Sequence, residues 1–197
     1  MKILFIPWFW IFWKNLNLFS KEYNVSFLEK YSDLKEDSFD KFDLIIAHSL
    51  WCLYLGEVLL NKKGFEYLNK KIVLYNPIIE SNKTELFLKN LKRKEIYSTL
   101  KWLRIFSLFI RNCIFSPKEI WKQFKKIIEK PISFKIDLYN NFENIYLSKN
   151  DEFSAEYFGK IRNAKEIQGC HDEIYFDEKI LKKLIEENPK AINIELI

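Results

Sequence analysis

The chain has 197 residues, 48% of them apolar and 17% aromatic, which suits one domain with a real core and excludes a disordered chain. Its formal net charge is +5. The three cysteines, Cys52, Cys113 and Cys170, are an odd number without metal-like spacing, which argues against a disulfide framework or zinc site and suits a reducing cytoplasm.

Met1 to Trp13 is almost wholly apolar, but it is too short to span a bilayer and no small-residue cleavage site follows it. We therefore read Lys2-Ile3-Leu4-Phe5-Ile6 as the first strand. Pro7-Trp8-Phe9-Trp10 follows, then a helix around residues 11–20. Tyr23 to Leu28 is strand-like, with Val25 and Phe27 on one face. Ser32 to Lys41 is polar and acidic and reads as a loop or surface turn. Leu44 to Ala47 is a buried strand, and Leu50 to Leu60 has helical spacing. Ile72 to Tyr75 is another buried strand, ended by Asn76-Pro77. This alternation of strands and helices predicts a largely parallel sheet covered by helices, an α/β fold.

From residue 83 to 135 strand signals vanish. Two helical stretches, about 83–114 and 117–129, meet at Ser116-Pro117, with Ser116 placed to cap and Pro117 at the first helical position. The segment carries fourteen Lys and Arg against four Glu, a net of +10, so the rest of the chain is −5. We expect a basic helical insertion on an acidic base. Lys101, Arg104 and Arg111 fall on one helix face, and Leu103, Phe106 and Ile110 on another. The plainer reading is a solvated amphipathic pair.

The sheet pattern then resumes. Asn144 to Ser148 is a strand, residues 154–161 look helical, and Glu166-Ile167-Gln168 is a short strand leading to Gly169-Cys170-His171-Asp172. A last helix spans about 177–187. The sheet should hold about six strands.

Ser49 sits between a strand and a helix with no Gly or Pro run to separate them. The turn must be tight, and it holds the hydroxyl out of the sheet at the positive end of a helix. Two readings of Ser49 follow, a nucleophile or simply the helix cap. The chain has two histidines, His48 and His171. Ser49, Asp151 and His171 each follow a different strand, and in a parallel sheet such loops share one edge. An imidazole at His171 would take the Ser49 proton, and Asp151 would orient that imidazole. Asp172 is an alternative orienting acid. A Cys52 or Cys170 nucleophile is the weaker rival, because Cys52 should point into the core and adjacent Cys170 and His171 side chains diverge. Neither a Walker loop nor a Gly-rich dinucleotide turn is present, and no cofactor is expected.

Ala47-His48-Ser49-Leu50-Trp51 resembles the nucleophile elbow of α/β-hydrolases, with Ala47 and Trp51 in place of its outer glycines. The Ser…Asp…His order is that of the same superfamily. The resemblance implies a reduced, three-layer α/β-hydrolase fold, with residues 1–82 and 136–197 as the core and 83–135 as the lid. It implies a Ser49, Asp151, His171 triad and an oxyanion hole from the Leu50 N–H and one N–H of the first loop, Phe9 ahead of Trp8. Trp8, Trp10 and Trp51 would line the acyl pocket, or belong simply to the core. The layout, with its basic lid, is similar to the pimeloyl-acyl-carrier-protein methyl ester esterases of biotin synthesis. By that resemblance Lys101, Arg104 and Arg111 would meet an acidic acyl carrier protein. A general carboxylesterase or thioesterase, a non-catalytic relative, and a nucleic-acid-binding basic lid are the other readings. The expected protein is a cytoplasmic monomer without stable membrane insertion and without nucleic acid.

Overall fold

The computed structural model describes residues 1–7, 23–28, 36–60, 65–79, 136–151 and 153–188, together with positions 103, 106, 107, 110, 113, 114, 117, 118 and 121. Six strands form one sheet: β1 Lys2–Ile6, β2 Asn24–Phe27, β3 Leu44–His48, β4 Ile72–Tyr75, β5 Asn144–Ser148 and β6 Ala164–Ile167. Their spatial order is β2-β1-β3-β4-β5-β6, and every neighbouring pair is parallel. Among the described residues the helices with both ends described are α1 Leu50–Leu59, α2 Phe65–Asn69, α3 Ile136–Tyr139 and α4 Glu178–Glu186. The class is α/β.

The four inner strands, β1, β3, β4 and β5, read as nearly continuous apolar runs because both of their faces are covered, whereas the edge strands β2 and β6 are partly exposed and carry polar residues. Alternate residues divide between two cores. Leu4, Ile6, Ile45, Ala47, Leu74 and Ile145 face a layer that includes Leu53 and Leu59 of α1 and Tyr139 of α3. Ile3, Phe5, Leu44, Ile46, Val73 and Tyr146 face a layer that includes Leu181 and Leu184 of α4. In α4, Ile180, Leu181, Leu184 and Ile185 recur at helical spacing and are buried, while Asp177 caps the helix by accepting from the Lys179 N–H.

Chain order reverses beside β1: β2 lies on one side of it and β3 on the other. Crevices open at such a switch point, at the carboxyl ends of the strands. Ser49 follows β3 at that place, and the loops after β4, β5 and β6 emerge on the same edge.

Local structure departs from the sequence expectation in several places. The stretch read as loop before β3 contains a 3-10 helix, Glu36–Lys41. The helix expected over 154–161 is one 3-10 turn, Ala155–Tyr157, followed by turns. β6 begins at Ala164, where backbone pairing with β5 extends the strand beyond its apolar residues. α2 and α3 were not expected, since a four- or five-residue helix is too short to show a period. The helix at 11–20 and the tail from 191 lie outside the described residues. So does nearly all of the basic segment 83–135; its nine described positions are helical.

Candidate active site

β3 ends at His48, and α1 begins at Leu50. One residue, Ser49, makes the whole turn, at φ 60° and ψ −127°. That is a conformation side chains rarely adopt, and it persists only where surrounding structure enforces it. Here the enforcement is β3 pairing on both sides and α1 packing back on the sheet. The Ser49 N–H donates to the Tyr75 carbonyl at 3.1 Å, which ties the turn to β4. Ser49 makes no side-chain capping bond to α1. The capping reading therefore fails.

The hydroxyl turns instead to His171, with Ser49 Oγ 2.8 Å from His171 Nε2. The other ring nitrogen, Nδ1, lies 3.0 Å from both carboxylate oxygens of Asp151. A carboxylate only accepts, so Nδ1 carries the proton and Nε2 is left to accept from Ser49 O–H. Asp151 is itself held. Its Oδ1 accepts from the Phe153 N–H at 2.8 Å, and its Oδ2 accepts a short bond from Ser154 Oγ. The Phe153 ring meets the imidazole edge-on, with centroids 4.6 Å apart. Ser49 and His171 are fully buried and Asp151 nearly so, which strengthens each of these interactions over its value in water. The structure thus brings Ser49, Asp151 and His171 together.

Asp172, the alternative orienting acid, is turned elsewhere: its Oδ1 lies 3.9 Å from His48 Nε2. Among the described residues, His48, His171 and Asp172 form a group close enough to suggest a metal site. Their geometry argues for a hydrogen-bonded network instead. His48 Nε2 faces the His171 carbonyl at 2.9 Å, His48 Nδ1 faces Tyr175 Oη at 2.8 Å, and both His171 nitrogens are engaged.

Cys52 lies in the first turn of α1, fully buried, with its thiol donating to the Ala47 carbonyl at 3.1 Å. Burial pushes its pKa well above the ordinary thiol value, so it has little thiolate to attack with. Trp51 is 5% exposed, among the core residues of the α1 face. Its bulk is absorbed by α1 packing and does not prevent the turn at Ser49. Leu50, whose N–H opens α1, is buried at the same turn. Trp8, Phe9, Trp10, Lys101, Arg104 and Arg111 lie outside the described residues.

Asn76 is a site residue that the sequence reading passed over. It is fully buried at φ 45°, a left-handed conformation that Asn tolerates better than most side chains. Its Nδ2 donates to Ser148 Oγ and to the His171 carbonyl, each at 2.9 Å, and its Oδ1 accepts from the Ser148 N–H at 2.7 Å. It thereby joins the ends of β4 and β5 to the His171 loop. The available signal was an Asn-Pro pair closing a buried strand. Tyr75, beside it, shares a hydrogen bond of 2.9 Å with Ser148 Oγ, and burial pushes its phenol pKa upward. Nothing local in the sequence marks Tyr175 or Ser154.

A six-stranded parallel sheet in this order, a serine on a one-residue strand-to-helix turn, and an acid and a histidine following β5 and β6 together make a reduced α/β-hydrolase fold. No protein-family model matches the chain, and no curated protein matches it. Among solved structures, the chain is similar to BpoC from Mycobacterium tuberculosis, assigned as a non-heme bromoperoxidase. The TM-score is 0.45 at 9% identity, over 80% of this chain and 71% of that one. A likeness that distant does not bear on chemistry.

Proposed function

We propose that the protein is a serine hydrolase that cleaves a carboxylic ester through a Ser49 acyl-enzyme. The observation that carries this reading is the Ser49–His171–Asp151 chain of hydrogen bonds, 2.8 Å and 3.0 Å long, built on a strained serine that does not cap its helix. His171 takes the Ser49 proton as Oγ attacks the ester carbonyl, then passes it to the departing alcohol. Asp151 keeps the imidazole in the reactive tautomer and stabilises its charged form. The Leu50 N–H, at the positive end of α1, is the first oxyanion donor, and Phe9 in the loop after β1 is the proposed second. Water activated by His171 then frees the acid. Trp8 and Trp10 are the proposed walls of the acyl pocket, while Trp51 packs in the core on the α1 side.

For the substrate we propose an ester borne by an acidic acyl carrier protein, with the methyl ester of the pimeloyl carrier as the first to assay. The support is the net +10 of residues 83–135, which would steer an acidic carrier, with Lys101, Arg104 and Arg111 as its contacts. Faster turnover of carrier-linked than free ester, with the advantage lost in high salt, is the expected result. Equal turnover would leave a general carboxylesterase or thioesterase.

The deciding experiment is labelling with a fluorophosphonate. The folded protein should label at Ser49, and Ser49→Ala and His171→Ala should not label. A folded protein that stays unlabelled would overturn the hydrolase reading in favour of a non-catalytic relative. Among the described residues no helix is long and apolar enough to cross a membrane.

A further inference from the structure

We propose that His171 is held in register with Ser49 through its main chain, by His48 and Asn76 gripping the His171 carbonyl, and that His48 is a positioning residue. The proposal rests on the serine hydrolase reading for its consequences and on geometry for its substance. The His171 carbonyl accepts from His48 Nε2 at 2.9 Å and from Asn76 Nδ2 at 2.9 Å. A carbonyl oxygen has two lone pairs, and both have a donor here. His48 and Asn76 are fully buried.

The two donors come from adjacent strands. His48 is the last residue of β3, and Asn76 directly follows β4. His171, in contrast, lies in a loop, between Gly169 at φ 123° and the 3-10 turn Glu173–Tyr175. A loop residue takes its position from what ties it to the scaffold. The tie here is to the strand end that also presents Ser49. Strand alternation sends the His48 ring toward the α4 side of the sheet, while the turn at Ser49 throws Oγ over the edge. Base and nucleophile therefore share one mount.

The His48 ring is fixed in its turn. A carbonyl only accepts, so Nε2 carries the proton, and Nδ1 then accepts from Tyr175 O–H at 2.8 Å. Tyr175 packs edge-on against Phe5 of β1, with centroids 6.0 Å apart. The His48 ring also lies against that of His171, with centroids 4.8 Å apart. Misplacement of a reacting group by about 1 Å can lower a rate about 100-fold.

The test compares two amides at position 48. The Gln side-chain nitrogen reaches the place of imidazole Nε2, and the Asn nitrogen reaches only that of Nδ1. His48→Asn should therefore lower kcat on a p-nitrophenyl ester about 10- to 100-fold with little change in KM, and His48→Gln should recover most of the loss. Asn76→Gly, which keeps the left-handed backbone but removes the amide, should fall in kcat as His48→Asn does. A second readout needs no activity. With only two histidines in the chain, imidazole 15N spectra assign directly. Wild type should show His48 protonated at Nε2 and His171 at Nδ1. His171 signals should move in His48→Asn and stay in His48→Gln. Equal kcat in the two amide variants, or a His48 without a proton at Nε2 in wild type, would overturn the proposal. Absence of esterase activity and labelling in wild type would instead sink the hydrolase reading, with the 15N result still deciding the grip.

Discussion

Ser49 occupies a backbone conformation that favours glycine, and the proposed role of its hydroxyl would account for a serine there. Strain of this kind costs about 1–3 kcal/mol. Ser49→Gly and Ser49→Ala both lose the hydroxyl and its bond to His171, so their difference isolates the backbone. The glycine variant should be more stable than the alanine variant by about 1–3 kcal/mol in urea unfolding, with both inactive. Equal stabilities would show that the turn at φ 60° is unstrained. Cys52 offers a second test at this scale. Its thiol is buried with a pKa raised by desolvation, whereas Cys113 and Cys170 are part-exposed. A disulfide reagent such as DTNB should titrate two thiols in the folded protein and the third only on unfolding. Rapid reaction at all three would contradict the packing of α1, and Cys52→Ala should leave labelling of Ser49 intact.

At the level of elements, α1 decides how Ser49 is presented, and Gly56 decides how closely α1 can lie against the layer beside it. A Cβ at Gly56 would meet Leu138 Cδ2 at 3.3 Å and the Phe142 ring at 3.6 Å. Alanine would press on α3, and a larger side chain would have to displace Phe142, which is fully buried. Gly56→Leu should therefore destabilise by about 1–3 kcal/mol through overpacking, read as a lower urea midpoint with an unchanged slope. A wild-type midpoint would mean that α1 does not pack on Phe142. The opposite end of the sheet is tied by Lys71. This buried lysine donates to the carbonyls of Phe39 and Phe42 at 3.1 and 3.2 Å, joining the chain before β4 to the 3-10 turn before β3. Those bonds keep the two central strands aligned beneath the site.

For the whole molecule, the buried phenols on the α4 side set a limit at high pH. Burial raises the pKa of Tyr75 and pushes that of Tyr146 up to about 12. In the unfolded chain both would titrate near about 10. The unfolded state therefore releases these protons first, so folded protein binds more protons above pH 10. Stability contributed by these groups is complete below about pH 10 and is lost as pH rises toward 12. Urea midpoints measured between pH 9 and 11 should fall, and Tyr146→Phe should fall less steeply than wild type. Parallel slopes would show that Tyr146 ionises as freely folded as unfolded.

The four inner strands were legible in the chain because residues buried on both faces must be apolar nearly throughout, and the edge strands β2 and β6 showed only as short stretches with polar residues between. The sequence also exposed Ser49, Asp151 and His171 as residues following three separate strands. Which of these meet depends on long-range packing. Ser49 and His171 are 122 positions apart, and no local period encodes a contact at that separation. Parallel pairing puts their loops on one edge, and the order β2-β1-β3-β4-β5-β6 sets how near to one another they lie. The order of residues favoured Asp151 over Asp172, but only the folded chain shows the contact that separates them. Asp172 neighbours His171 in sequence, but the turn after β6 sends it toward His48, while Asp151 arrives from β5 and is fixed by Phe153 and Ser154. Asn76 and Tyr175 were hidden for the same reason. A buried hydrogen bond depends on where two distant backbones come to lie, and residue type records only that a polar group must find a partner somewhere.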